Sequence, residues 1–368
     1  MVILHIRLAI ILYTIFHVRL HNRLIYSILI VNLCEKCFIF AANNFVRKFK
    51  MFKNMEALLN HQIHEPQGYK TPVVQKGHGF APSHHGEIIQ GLFFDRATND
   101  YVHGLLTVPC NYFWASASFS PSKDRKIYYQ NSKKKASFAV NKTLEYINKQ
   151  EFGGLLELTS NIPVGFGCGS STADVVATIK AVSNAFAINL SEEEIGRLAV
   201  EIETASDPIM YRNPMILFAQ RKGIVLRRFE SKIPDFDILG FSTSGQGVDT
   251  LALEPINYTN YEIQEFENMV DLVNVAALTK DPKYLGIAAY KSALICQKYR
   301  PKPFYDVFAN IVEDGMALGC QVSHSGTVVG FIFNAHETID PQNARVSKVL
   351  KIINQLGIKD IWRFTVSQ

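Results

Sequence analysis

The stretch "IPVGFGCGSSTAD" at 162–174 places glycines at 165, 167 and 169, then two serines and a threonine, directly ahead of an apolar run at helical spacing. Bare backbone in front of a helix constrains the fold strongly. A helix N-terminus carries several unpaired N–H groups and about half a positive charge. Glycines before it let consecutive amides curl toward one anion. Gly165, Gly167 and Gly169 supply that freedom, and Ser170, Ser171 and Thr172 add hydroxyls where the helix begins. The run reads as an anion cradle between the strand-like "GGLLELTSNIP" and the helix-like "TADVVATIKAVSNAFAI". The plainer alternative is a glycine-rich turn that merely joins the two. A Walker A loop is excluded because its lysine is missing. A dinucleotide fingerprint is excluded because the order is G-x-G-x-G and the downstream acid is absent.

Composition bounds the rest. The 368 residues leave room for two ordinary domains, and 48% hydrophobic against 19% charged residues is a globular balance. The net charge of +5 belongs to the N-terminus, because residues 1–50 hold seven Lys/Arg against Glu35 alone. The remainder is near neutral and carries no electrostatic footprint for nucleic acid. Two apolar runs, "LAIILYTIF" and "LIYSILIVNL", are separated by Arg19, His21 and Arg23, and each falls short of the roughly 20 residues a membrane helix needs. Residues 1–70 are therefore expected to be an N-terminal extension, not native or disordered, with a membrane anchor or targeting segment as the alternatives. No stable membrane association is expected. Cys34 and Cys37 lack a second pair at zinc-site spacing, and Cys110, Cys168, Cys296 and Cys320 sit among apolar residues. They read as buried thiols, which points to the cytoplasm.

Residues 71–120 alternate as strands do, and 121–135 form a polar, basic loop whose lysines read as a solvated face. A helix is expected near 136–150. "SEEEIGRLAVEIETA" is another, opened by Ser191 with Glu194 three residues on as a capping box. Strands follow within 215–229, and Pro234 marks a plausible boundary. Beyond it come a strand at 236–242, helices over about 259–318, the strand–turn–strand "CQVSHSGTVVGFIF", a helix and a last short strand. This order predicts an α+β or α/β enzyme of two domains.

"PVGFGCGSSTA" resembles the second motif of the GHMP kinases, the galactokinase, homoserine kinase, mevalonate kinase and phosphomevalonate kinase family, with Cys168 and Thr172 as departures. "SSTAD" at Ser170–Asp174 is similar to the L-threonine kinases of cobalamin and propanediol utilisation within that family. "APSHHGEIIQG" (81–91), "RPKPFYD" (300–306) and "GCQVSHSGTVVGFIF" (319–333) resemble further motifs of those kinases, collinear and at plausible spacing over about 76–335. The resemblance implies a two-domain GHMP-kinase fold: an N-terminal extension (1–70), an N-terminal βαβ-type ATP-binding domain (71–230) and a C-terminal ferredoxin-like α/β domain (231–368).

It also implies ATP and Mg²⁺. The loop from Pro163 through Gly165, Gly167, Gly169, Ser170, Ser171 and Thr172 would wrap the phosphates. Ser171 and a helix carboxylate would hold the metal. Thr204 stands where the family carries glutamate, leaving Glu203 or Glu201, with Glu203 preferred. Asp207 is the expected catalytic base. If the helix persists, Glu203 and Asp207 share a face, being four apart. Glu87, His84, His85, Ser325 and Gly326 are assigned to the acceptor side. Adjacent histidines on a strand point oppositely, so one of the pair is expected to line the pocket and the other to pack. His324 is expected to orient its turn rather than do chemistry. Glu87 would bind an amino-acid ammonium or lie near the metal. The expected activity is ATP-dependent phosphorylation of a small-molecule hydroxyl, with L-threonine the leading acceptor. The alternatives are another GHMP activity such as homoserine kinase, or an ATP-binding protein without catalysis. Oligomeric state is left open, a homodimer being one option.

Overall fold

Alternating apolar residues over 77–122 build one long hairpin from β1 (Gly77–Asp95) and β2 (Asp100–Ser122). Its turn is fastened by Asp95, whose carboxylate accepts from Ala97 N (3.0 Å) and Thr98 Oγ1 (2.8 Å). The computed structural model describes residues 75–368 except 131–132, 213–214, 230, 245–255, 339, 341 and 368. The expected N-terminal extension, with its apolar runs and Cys34/Cys37, lies outside the described residues.

After the hairpin come β3 (Ile127–Tyr128), α1 (Lys134–Tyr146) and β4 (Gly153–Ser160), then α2 (Ser170–Ala185) and α3 (Glu192–Glu203). Next are β5 (Ile216–Ala219), β6 (Ile224–Arg228) and β7 (Phe236–Ser242). The chain continues through α4 (Asn260–Thr279), α5 (Lys283–Tyr299) and α6 (Tyr305–Glu313). It closes with β8 (Gly319–Val322), β9 (Val328–Asn334), α7 (Ala344–Gln355) and β10 (Ile361–Val366). The fold is α+β.

One sheet runs in the order β10-β7-β9-β8-β1-β2-β4-β3, with β5 added to β2 and β6 to β5. β3 and β4 pair in parallel around α1, a βαβ unit in an otherwise antiparallel sheet. From residue 236 onward the order β10-β7-β9-β8, all antiparallel, is the ferredoxin-like arrangement. The two halves join where β1 meets β8 at Glu87 opposite Val322.

Helix α2 sits tight on the hairpin for a reason visible in its sequence. Ala173, Ala177, Ala181 and Ala185 recur every fourth residue and form a flat, buried stripe. Opposite them β1 has glycines, and a Cβ at Gly77 or Gly79 would collide with the carbonyls of Ala181 or Ala177. This close approach fixes where the helix N-terminus, and the loop before it, must lie. A second apolar cluster, with Phe241, Phe308, Phe331 and Phe333 at its centre, supports the C-terminal half.

The capping box of α3 forms as expected: Glu194 N donates to Ser191 Oγ (3.2 Å) and Ser191 N to Glu194 Oε2 (2.7 Å). Cys110, Cys168, Cys296 and Cys320 are buried free thiols. Among the described residues no helix is long and apolar enough to cross a membrane.

Candidate active site

The loop before α2 adopts the backbone its composition demands. Gly165, Gly167 and Gly169 have φ of 80°, 88° and 69°, all in the left-handed region. Gly169 is the N-cap and supplies no side chain, so the first-turn N–H groups of a 16-residue helix are not capped from within. Gly165, Gly167, Gly169, Ser170, Ser171 and Thr172 line a cleft of about 480 Å³. Pro163 does not line it; its neighbour Val164 does.

The loop is braced by the turn between β8 and β9. Thr327 N and Val328 N both donate to Phe166 O, at 2.9 and 3.0 Å. A Cβ at Gly167 would collide with Ser325 O, and one at Gly326 would lie 2.5 Å from Gly167 N. Ser325 lines the cleft, whereas Gly326 serves the backbone contact. The turn is held in turn by the "RPKPFYD" segment: Lys302 Nζ donates to Gly326 O (2.7 Å) and Arg300 to His324 O (2.9 Å). Neither basic residue had an assigned role in the sequence.

Two acids enter from the end of α3. The helix stops at Glu203, and Thr204 takes φ 72°. The expectation that Glu203 and Asp207 share a helical face is therefore corrected; a turn brings both into the cleft instead. Glu203 is buried, and its Oε1 accepts from Ser171 Oγ and from Lys135 Nζ (3.3 Å). Its Oε2 is buried without a hydrogen-bond partner. Burial raises the Glu203 pKa, with Ser171 and Lys135 opposing. Glu201 turns away, pairing at the surface with Lys142 at 2.8 Å.

Asp207 Oδ2 accepts from His84 Nε2 (3.0 Å) and Thr172 Oγ1 (3.5 Å). Burial pushes its pKa up, but the His84 charge and hydrogen bond win and hold it down at about 2. For His84 burial again acts first, downward, and the charges of Asp207 and Glu87 raise it to about 9.

Three assignments from the sequence need correcting. His85 does not line the cleft: it is fully buried, bonded through Nδ1 to Gln321 Nε2 (2.6 Å) and set edge-on to Trp362 and Phe364. Burial lowers its pKa to about 3, so it is a neutral packing residue. His84 is the one that faces the cleft. Glu87 is occupied rather than open to an acceptor, for its carboxylate takes His324 N–H (2.6 Å) and the His324 ring (3.1 Å). The lysines near 133 are not simply solvated: Lys133 pairs with buried Asp174 at 2.5 Å, and Lys135 reaches Glu203. A sequence gives no sign of this, because the contact partners lie 41 and 68 residues away.

The far wall of the cleft is lined by Gln90, His103, Leu105, Gln220, Arg221 and Tyr258. Burial lowers the His103 pKa, and the charges of Arg221, Arg300 and His324 lower it further. This end of the cleft is positively biased.

Residues 134–210 match the GHMP kinases N terminal domain. The chain is 28% identical over 187 residues to the L-threonine kinase of Salmonella typhimurium, covering 49% of this chain and 59% of that protein. It is 26% identical over 191 residues to the homoserine kinase of Streptococcus sanguinis, covering 50% and 65%. These matches thus span less than two thirds of each relative's length. Among solved structures, homoserine kinase from Cytophaga hutchinsonii aligns with TM-score 0.59 at 16% identity, over 83% of this chain and 97% of that one. The likeness to that structure shows the fold, and the domain match falls on α1 through the end of α3, where the glycine loop lies. Over residues 134–210 the chain carries a GHMP kinases N terminal domain, and over about half its length it is similar to L-threonine kinases.

Proposed function

We propose that this protein is an ATP-dependent kinase that phosphorylates the hydroxyl of an amino acid or similar metabolite, with L-threonine the leading acceptor. One observation carries the reading: a glycine-shaped loop on a bare helix N-terminus opens into the same cleft as Asp207 and Glu203. On this reading residues 71–230 form the ATP-binding domain and 231–368 the second domain.

The residues fit both groups that the reaction requires. Three left-handed glycines and the uncapped start of α2 suit a polyphosphate. The partnerless Glu203 Oε2, beside Ser171 at the helix start, suits a divalent cation. Ser171 and Glu203 would hold Mg²⁺, which when bound offsets negative charge on the phosphates. Lys135 of α1 adds a positive charge beside Glu203.

Asp207 orients the acceptor hydroxyl from the opposite side. As the acceptor oxygen bonds to the γ-phosphorus, the bond from phosphorus to the β–γ bridging oxygen breaks and ADP leaves with the electron pair. The hydroxyl proton passes to Asp207 and then to solvent. With so low a pKa Asp207 is a weak base, which phosphoryl transfer tolerates because its loose transition state asks mainly for positioning and charge. The positive far wall suits an acceptor bearing a carboxylate.

The test is ADP release from Mg·ATP across L-threonine, L-homoserine, L-serine and mevalonate. Turnover highest with L-threonine supports the assignment. Preference for homoserine or mevalonate replaces the acceptor. No release with any hydroxylated acceptor, despite ATP binding, refutes the kinase reading.

A further inference from the structure

His84 is a buried, ionisable group in the middle of the site, and a phosphate loop and a catalytic acid do not by themselves call for it. β1 bulges at this point: its register against β2 shifts between Pro82 and Ser83 and again between His84 and Glu87, and Gly86 takes φ 63°. The bulge sends His85 into the core, while His84 lines the cleft with buried Glu87 beside its Nδ1. The imidazole then lies between two carboxylates. Nε2 is 3.0 Å from Asp207 Oδ2, and Nδ1 is 3.9 Å from Glu87 Oε1 with no hydrogen-bond partner of its own.

That placement favours the charged ring on geometric grounds, although Nδ1 lies too far from Glu87 for a hydrogen bond. A neutral imidazole has one N–H and one lone pair. Whichever nitrogen held the lone pair would turn it toward a carboxylate in a site where His84 is 2% exposed. Only the doubly protonated ring presents a hydrogen to both. The phosphate loop lies against the same ring: a Cβ at Gly169 would sit 2.5 Å from His84 Cδ2 and 3.4 Å from Asp207 Oδ2. Loop, ring and acid therefore form one contact. Both bonds to Asp207 fall on Oδ2, from His84 and Thr172, which leaves Oδ1 for an acceptor.

We propose that His84 is the positioning residue of this site: its imidazolium fixes Asp207 ionised and oriented, so that transfer proceeds only while His84 keeps its proton. The proposal rests on the phosphoryl-transfer reading above. The other titratable groups around the ring are Glu87 and His85 on β1, His324 behind Glu87, and Cys168 in the loop. His85 is neutral, and burial raises the Cys168 thiol, so neither adds charge at neutral pH. Ligand atoms of His84, Glu87 and Asp207 lie within 4.8 Å of one another, close enough for a metal. Both Glu87 oxygens are already taken by His324, however, and a metal would have to displace the proton between His84 and Asp207.

The experiment follows the His84 ring directly by side-chain NMR of the full chain, in wild type and Asp207→Asn, from pH 6 to 11. The expected wild-type midpoint is about 9, falling by at least about one unit in Asp207→Asn as the partner charge is lost. In parallel, His84→Gln keeps an N–H donor without the charge. It should lower kcat at least about 10-fold with the acceptor KM little changed, and should lose the alkaline limb of the wild-type rate profile. A wild-type midpoint near the ordinary histidine value, or one unmoved in Asp207→Asn, overturns the proposal. So does a resonance that changes on EDTA treatment and returns with Zn²⁺, which would make the trio a metal site. Should His84→Gln misfold, the Asp207→Asn titration still decides. If the titration behaves as expected and no acceptor supports ADP release, the kinase reading fails while the buried pairing stands.

Discussion

Replacing Glu203 by glutamine separates the metal-holding role from any structural one, because the two predict opposite signs. Glu203 is 6% exposed and its folded pKa is raised, first by burial. A carboxyl whose folded pKa exceeds its unfolded value favours the folded state when protonated; above that pKa its ionised form costs stability. At neutral pH the buried charge is therefore a net burden, relieved only partly by Ser171 and Lys135. The Lys135 side chain is half exposed, so its pair contributes at most about 1 kcal/mol. Gln keeps the shape and can still accept from Ser171. Losing the Lys135 pair and losing the desolvation cost roughly cancel, and the expected stability change without metal is within about 1 kcal/mol, a few degrees in Tm. Mg²⁺ affinity should behave otherwise, since removing a charged ligand exceeds the 10–100-fold loss typical of disturbing its neighbours. The assay is ADP release against Mg²⁺ concentration at fixed ATP, with thermal unfolding of the metal-free protein beside it. The expected result is an activating Mg²⁺ concentration raised at least about 10-fold with Tm nearly unchanged. Wild-type Mg²⁺ dependence, or a large loss of stability with metal dependence intact, would refute the reasoning.

Asp207→Asn should bind ATP almost normally and lose at least about 10²-fold in turnover, measured by steady-state kinetics and nucleotide binding. Gly167→Ala meets the Ser325 carbonyl at a position with φ 88°, so it should raise the ATP KM by pushing loop and turn apart, as a competition assay with ADP would show. Outside the cleft, Glu262 caps α4 and accepts from Lys298 (2.8 Å) and Tyr299 (2.7 Å). Burial pushes its pKa up, but these bonds hold it down at about 2. The stabilisation is present above its unfolded value and lost as pH falls through about 2, so Glu262→Gln should be less stable by about 2 kcal/mol near neutral pH, with the gap closing between about pH 4.5 and 2. Denaturant unfolding across that range checks it.

The geometry of the glycine loop before α2 was legible because its requirements are local. Three glycines must take φ values that other residues avoid, and hydroxyls must stand at a helix start; both facts are written within ten consecutive residues. The capping box of α3 and strand β7 were legible for the same reason. What the sequence hid is long-range. That Lys135 would reach Glu203, that Arg300 and Lys302 would tie down the β8–β9 turn, and that Glu87 would be consumed by His324 all depend on the meeting of β1 with β8. The helix-face argument for Glu203 and Asp207 failed because Thr204, a β-branched residue with no turn signature, takes the left-handed conformation that ends α3. The histidine pair was half legible: alternation said that the two would point apart, but only the bulge at Gly86 decides which one meets Asp207.

The environments of the two acids, more than their identities, assign the chemistry. Glu203 and Asp207 stand four residues apart on one turn and open into one cleft. Burial works against the charge of both. Glu203 is left with an unpartnered oxygen and a half-exposed lysine, the environment that on the proposed reading suits a cation. Asp207 already has its cation in His84 and needs no other. Pushing the pKa values of neighbouring acids in opposite directions is how a site divides roles between chemically similar groups. On the proposed reading Glu203 would be the acid to hold Mg²⁺ and Asp207 the acid to meet the acceptor, because His84 is bonded to Asp207 and not to Glu203. Asp207 is held from the β1 bulge through His84 and from α2 through Thr172, whereas Glu203 is held from α1 through Lys135 and from α2 through Ser171. The first turn of α2 touches both acids, through Ser171 and Thr172, so a change at the helix start is felt by each.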